Sequence, residues 1–290
     1  MSKQASEFQK KLMGWFFRGK DIFKPLNTGF IDDRVFVIRE WVANIFFYKK
    51  GKQVIMIDAG YNYDRLAEKM RWLNLDPQEI DHILITHQDT DHVGAIEIDS
   101  DQLFEHSTIY IGDIENKYLT GATPRKVLHG LYRLPQVAIQ NKKVLLHDGQ
   151  VFYLGDMKIE CIAVPGHTWG HVVYLIDDHY LFTGDTIWFG ADGGYSFISS
   201  LAEDNRLAIR SLVHLEKILR ERGGSYKIIT GHTGWTDSID FAFAHSNEVC
   251  SLLKRRLPDN KAPFDGYDES DDTEERALKE ALPKKIFRKE

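Results

Sequence analysis

Short runs of β-branched and aromatic residues, broken by turn residues, fill most of the chain, and stretches at helical spacing are fewer. Residues 34–38, 43–48 and 53–57 read as successive strands, the first two paired and the third entered through Lys49-Lys50-Gly51-Lys52. The third ends at Asp58-Ala59-Gly60, where glycine marks a strand-end turn. Leu66, Met70 and Leu73 recur at helical spacing and predict a helix over 63–73, with Asn62 as its cap and Asp76-Pro77 as its stop. A further buried strand begins at Ile83 and runs directly into His87-Gln88-Asp89-Thr90-Asp91-His92. A helix over 93–98, a strand over 108–112 and a helix over 113–119 follow.

Residues 120–140 mix Gly, Pro, basic and apolar positions without a period, and are expected to form a lid or substrate-facing insertion, or a plain surface connection. Strands are predicted over 144–146, 150–153 and 157–164, with Asp148-Gly149 and Gly155-Asp156 as hairpin turns, and the last ends at Pro165-Gly166-His167. Two more, 171–176 and 180–182, join through Asp177-Asp178 and end at Thr183-Gly184-Asp185. Leu207, Leu212, Leu215 and Leu219 predict a helix over 205–222, stopped by Gly223-Gly224. A last buried strand over 226–230 ends at Gly231-His232, and a closing helix is expected over 238–257. Two groups of strands, each followed by helices, predict an α+β protein with a sheet-on-sheet core and helices outside. The expected division is an N-terminal extension over 1–29, one domain over 30–257 and a charged tail over 258–290, acid-rich through 265–276.

Composition narrows the function classes. A formal net charge of −6 argues against a nucleic-acid binder working through a general basic field. No apolar run is long enough to span a bilayer, and the run from Leu12 to Phe17 is too short for a signal peptide. Cys161 and Cys250 stand far apart in apolar contexts and read as reduced core thiols, so a cytoplasmic setting is expected. A small-molecule substrate is the expected partner, with no nucleic acid and no stable membrane insertion; a homo-oligomer is compatible with the pattern.

The chemistry-bearing residues sit where strands end. His87, Asp89, Asp91 and His92 put four nitrogen or oxygen donors within six residues, more than a turn requires. His167, Asp185 and His232 each follow another β-rich run. Strand ends at one sheet edge can meet, so these residues can share a metal site although they are distant in sequence. His171 is expected to hydrogen-bond behind the ligands.

Taken in order, His-x-Asp-x-Asp-His, Gly-His-Thr-x-Gly-His, Gly-Asp-Thr and Gly-His resemble the metallo-β-lactamase fold superfamily over roughly residues 30–257. The resemblance implies a four-layer αββα sandwich with the site at one edge of both sheets. It implies two divalent ions, one held by His87, Asp89 and His167 and the other by Asp91, His92 and His232, with Asp185 between them. Imidazole and carboxylate donors without thiolates suit zinc, and also manganese or iron. The implied nucleophile is a hydroxide held by the ions and oriented by Asp91, the catalytic residue.

Asp89 departs from the commonest family pattern, which has histidine there. The shorter, charged side chain can favour iron or manganese, or weaken one position until a single ion is held. The expected activity is hydrolysis of a small ester, thioester or lactone. The alternative is a metal- or ligand-binding or sensing protein that does no catalysis, and a phosphodiesterase or iron-dependent redox enzyme ranks below it. Trp169, Trp188, Phe189, Tyr195 and Phe197 are expected to line an apolar pocket.

Overall fold

Alternation along the strands decides which way each sheet faces. In a computed structural model of the chain, which describes residues 25–40, 42–61 and 65–250, β1 (Gly29–Phe30), β2 (Val35–Glu40), β3 (Ala43–Lys50), β4 (Gln53–Ile57), β5 (His82–Ile85) and β6 (Thr108–Gly112) lie side by side in sequence order. A small hairpin, β7 (Lys126–Val127) and β8 (Tyr132–Arg133), intervenes before β9 (Lys143–Leu146) completes this seven-stranded sheet beside β6. Val35, Val37, Phe46, Tyr48, Ile55 and Ile57 point into the space between sheets, while Phe36, Ile38, Ile45, Phe47, Val54 and Met56 face outward. The period of two thus makes both faces apolar, and both are covered.

The second sheet contains β10 (Val151–Leu154), β11 (Met157–Ala163), β12 (Val172–Ile176) and β13 (Tyr180–Phe182). After β14 (Ile187–Gly190) and β15 (Gly193–Ser196), it resumes with β16 (Lys227–Thr230) and β17 (Gly234–Thr236). β18 (His245–Val249) joins β14 and β15 in a separate three-stranded sheet. Met157, Ile159, Cys161, Tyr174, Ile176 and Phe182 meet the first sheet's inner face. Val173, Leu175 and Leu181 point the other way, onto Leu212, Leu215 and Leu219 of the helix Asn205–Arg222. Asp204 accepts from the backbone N–H groups of Arg206 and Leu207 at the start of that helix, and Gly223, at φ 65°, closes it. The helix Leu66–Trp72 covers the first sheet's outer face through Leu66 and Met70. The layers run helix, sheet, sheet, helix, as expected. No helix among the described residues is long and apolar enough to cross a membrane.

Several elements differ from expectation. Within the described part of the expected closing helix only Ile239–Ala242 is helical; residues 245–249 form β18, parallel to β15, with Cys250 N–H donating to the Ser196 carbonyl. The partner that β15 offers there is distant in sequence, and 251–257 lie outside the described residues. Asp148-Gly149 is not a hairpin turn: β9 pairs with β6 and β10 with β11, so the chain crosses there from one sheet to the other. Gly155-Asp156 is the hairpin turn expected, with Leu154 opposite Met157. The helices near residues 93–98 and 113–119 shrink to Thr90–Val93, a 3-10 turn Gly94–Ile96, and Asn116–Leu119. Asn62 lies outside the described residues.

Two buried polar groups tie the layers together. The Tyr174 hydroxyl, on the second sheet, reaches the carbonyls of Ile85 (2.8 Å) and Tyr110 (3.1 Å) on the first. Glu115 joins the loops that leave β5 and β11: it accepts from Gln88 N–H (2.8 Å), Thr168 Oγ1 (2.7 Å) and Gly170 N–H (3.1 Å). Burial pushes its carboxyl up from 4.5 to about 8.

Tyr174→Phe leaves its two carbonyl partners short of a donor and is expected to cost about 1–2 kcal/mol, read as a lower urea midpoint at unchanged slope. An unchanged midpoint would show that the bridge carries no stability. A carboxyl raised on folding stabilises when protonated, so the Glu115 contribution is full below about 4.5 and is lost as pH rises through about 8. Over that window the wild type should lose stability relative to Glu115→Gln. The readout is the difference in slope, because the amide leaves only a constant offset at Gly170 N–H.

Candidate metal centre

Four strand tips converge at one edge of the sandwich. β5 ends at Ile85, and Thr86 and His87 continue from it. Asp89 stands at the start of the short helix Thr90–Val93, which carries Asp91 and His92. β11 leads through Pro165-Gly166 to His167. β13 and β16 are adjacent and parallel, with Phe182 opposite Ile229, so Asp185 and His232 leave the same sheet edge. The approach is close: a Cβ on Gly231 would sit 3.0 Å from both Asp185 Oδ1 and His92 Cε1. Gly184, at φ +48°, has no room for one either, with Thr86 Oγ1 at 2.5 Å.

Six of the seven sequence-predicted donors fall into two sets, His87 with His167 and Asp185, and Asp91 with His92 and His232; within each, one ligand atom per residue lies within 4.8 Å of the others. Asp185 serves both. Its Oδ2 lies 3.7 Å from His87 Nε2 and 3.4 Å from His167 Nε2, while its Oδ1 lies 3.2 Å from His92 Nε2 and 3.1 Å from His232 Nε2. Asp91 Oδ2 is 3.9 Å from His92 Nε2 and 3.5 Å from His232 Nε2. Donors around a tetrahedral ion with ~2.1 Å bonds stand ~3.4 Å apart, and these spacings bracket that figure.

Hydrogen bonds behind the imidazoles fix which nitrogen faces inward. The Asp58 carboxylate can only accept, so His92 Nδ1–H donates to it at 2.8 Å and His92 Nε2 is the nitrogen turned inward. Thr86 gives its hydroxyl hydrogen to Asp58 and therefore accepts from His87 Nδ1–H at 3.0 Å. His87 Nε2 is then a bare acceptor, fully buried and without a hydrogen-bond partner. His232 Nδ1–H donates to the Val42 carbonyl at 2.5 Å. His171 accepts from Asp185 N–H at 3.1 Å, the supporting position expected of it. Burial holds His87 well below its ordinary pKa, in the neutral form a metal ligand needs. Burial also acts to lower His92, but the carboxylates of Asp185, Asp58 and Asp91 outweigh it and raise that histidine. An orphaned inward nitrogen, fixed tautomers and uncompensated carboxylates together fit a divalent ion.

Asp89 departs from the expected ligand arrangement. Both its oxygens are taken by Arg125, Nε to Oδ1 and Nη2 to Oδ2, each at 2.7 Å, and Gln88 Nε2 donates to Oδ1 as well. Burial would raise the Asp89 carboxyl, yet the Arg125 charge and hydrogen bonds hold it well below the usual carboxylate range. Asp89 Oδ2 still lies 3.1 Å from His167 Nε2 and 3.7 Å from His87 Nε2, so it borders the first set as one half of an ion pair.

Arg125 and Asp58 escaped the sequence reading. Arg125 sits in the aperiodic stretch 120–140, where nothing marks a single basic residue, and Asp58 reads as an ordinary turn residue. The signal for Asp58 was its place at a strand end, the same signal that picked out the other donors. Residues 120–140 thus send a side chain into the site, and with Gln88 and Tyr118 they border a crevice beside it.

The aromatic wall is narrower than expected. Phe197 packs 4.6 Å from the His167 ring and 5.8 Å from His232, and Trp188 backs both Phe197 and His232. Tyr195 shares their cluster, but its hydroxyl donates to Asp192 and its ring stacks on His245. Phe189 faces the long helix instead, and Trp169 is 45% exposed.

A sequence profile described as the metallo-beta-lactamase superfamily matches residues 38–246. A probable polyketide biosynthesis zinc-dependent hydrolase of Bacillus velezensis is 33% identical over 54% of this chain and 59% of its own length. A probable metallo-hydrolase of Streptococcus pyogenes is 25% identical over 71% of this chain and 83% of that protein. A hydroxyacylglutathione hydrolase of Methylococcus capsulatus is 35% identical over 37% of this chain and 34% of its own length. The chain therefore spans about three-fifths of the first of these relatives and a third of the last. Among solved structures, a B3 metallo-beta-lactamase with an active-site glutamic acid superposes with a TM-score of 0.57 at 17% identity, covering 78% of this chain and 88% of that one, a likeness of fold. The profile match extends over well more than half of the sequence and takes in every strand tip described above: the chain belongs to the metallo-beta-lactamase superfamily.

Proposed function

We propose that the protein is a metal-dependent hydrolase of a small acyl substrate, an ester, thioester or lactone. The observation that carries this reading is the pair of donor sets sharing Asp185. His87, His167 and Asp185 on one side, and Asp91, His92, His232 and Asp185 on the other, would hold divalent ions, with zinc favoured by the donor types. Bound there, such an ion lowers the pKa of a coordinated water to ~7 and polarises the attacked oxygen.

The remaining chemistry belongs to the chain's own residues. Asp91 is the most exposed donor, with 23% of its side chain accessible against 11% or less for the others, so substrate and water approach from its side. Desolvation raises its carboxyl, which suits a group that accepts a proton from the attacking water and returns it to the leaving group. Asp58 and the Val42 carbonyl hold His92 and His232 in position throughout. Phe197 and Trp188 offer an apolar wall against the imidazoles, in keeping with a small acyl group. The hydrolases among the relatives, one acting on a hydroxyacylglutathione, support this reading. Buried free thiols at Cys161 and Cys250 are in keeping with a reducing, cytoplasmic setting.

Purified protein is expected to carry transition metal, and Asp185→Ala to lose it from both sets, as read by elemental analysis; metal retained in full by that variant would contradict a shared carboxylate. Against a panel of esters, thioesters and lactones, Asp91→Asn should lower kcat/KM by about 100-fold or more. A metal-loaded wild type inert across the panel would favour a binding or sensing role instead.

A further inference from the structure

The two donor sets differ in charge, and the difference comes from one residue. Beside His87 and His167, the Asp89 carboxylate is matched by the Arg125 guanidinium. Arg125 Nη2 also lies 3.3 Å from His167 Nε2, which brings the guanidinium charge up against the nitrogen that an ion at that position needs. The guanidinium is fixed in place. Arg125 is 3% exposed, its Nη2 donates to the Leu201 carbonyl at 2.8 Å, and its Nη1 donates to the Lys126 carbonyl at 2.9 Å. An ion entering the His87 set therefore meets a carboxylate already matched by a permanent positive charge that has no other place to go.

The other set has the opposite balance. Asp91 belongs to it, Asp58 stands directly behind His92, and Asp185 Oδ1 faces both of its histidines. Among the described residues, no Lys or Arg nitrogen lies within 4.0 Å of Asp58, Asp91 or Asp185, whose ion pairs are with histidines alone. With Asp185 common to both, the His87 set has its one further carboxylate cancelled by a fixed guanidinium, whereas in the His92 set Asp91 and Asp58 face only histidines, which can give up their protons to an ion.

We infer that Arg125 makes the two metal positions unequal: Asp91, His92 and His232 with Asp185 hold the tightly bound divalent ion, and the His87, His167 position is a weak, separately filled site. The inference rests on the metal-hydrolase reading above. It gives the stretch 120–140 a function, that of setting how many ions the protein keeps.

The test is a titration of the full chain, stripped by a chelator, with Co(II), followed by calorimetry and by the visible spectrum of the bound ion. The wild type should take up one equivalent tightly and a second about 100-fold or more weakly, the difference set by one fixed charge nearby. His232→Ala should remove the tight phase, and His87→Ala only the weak one. The double variant Asp89→His with Arg125→Met, which removes both charges together, should bring the second affinity to within about tenfold of the first. Two equivalents of equal affinity in the wild type, a measurement that needs no variant, would overturn the inference and leave the hydrolase reading standing. A tight phase lost in His87→Ala but kept in His232→Ala would also overturn it. No uptake at all would overturn the hydrolase reading itself.

Discussion

One buried carboxylate, Asp185, holds this site together. Its two oxygens face two pairs of imidazoles, each within 3.1–3.7 Å. A carboxylate buried among imidazoles is expensive unless something positive shares the space. Among the described residues, the guanidinium that reaches the site, Arg125, is paired with Asp89. What remains between the histidines is negative, buried and preorganised, the condition under which a divalent ion binds well.

The sandwich is arranged to produce that condition. Parallel pairing of β13 with β16 brings Asp185 and His232 out at the same edge, and β5 delivers His87 opposite them. The two sheets are registered to each other by polar links as well as by apolar packing. Asn44 N–H donates to the Gly231 carbonyl, Tyr174 reaches across to β5 and β6, and Glu115 clamps the His87 and His167 loops. The glycines beside the donors, Gly184 and Gly231, let backbone come within contact distance where any side chain would intrude.

Much of this was legible in the sequence because it is written locally. Leucines at helical spacing with glycines after them mark the long helix without further information. The donors were legible for a related reason: histidines and aspartates directly after β-rich runs are placed at strand tips by the strand itself. What stayed hidden depends on partners distant in sequence. Arg125 acquires its role only because Asp89 lies beside it in space, and Asp58 only because it reaches both Thr86 and His92. Residues 245–249 read His-Ser-Asn-Glu-Val, with no strand period to announce them, but β15 offers them an edge to pair with. The turn at Asp148-Gly149 has hairpin residues, yet the strands on either side belong to different sheets. Phe189 is near the metal motifs in sequence and on the opposite face of its strand.

The most direct test of this account is anomalous diffraction, at the metal's absorption edge, from crystals of the protein grown with zinc. The account predicts a strong peak bounded by Asp91, His92 and His232 and lying ~2.0–2.2 Å from Asp185 Oδ1. Ordered protein with no anomalous peak inside the cluster of strand tips, or with its zinc bound elsewhere, would contradict it.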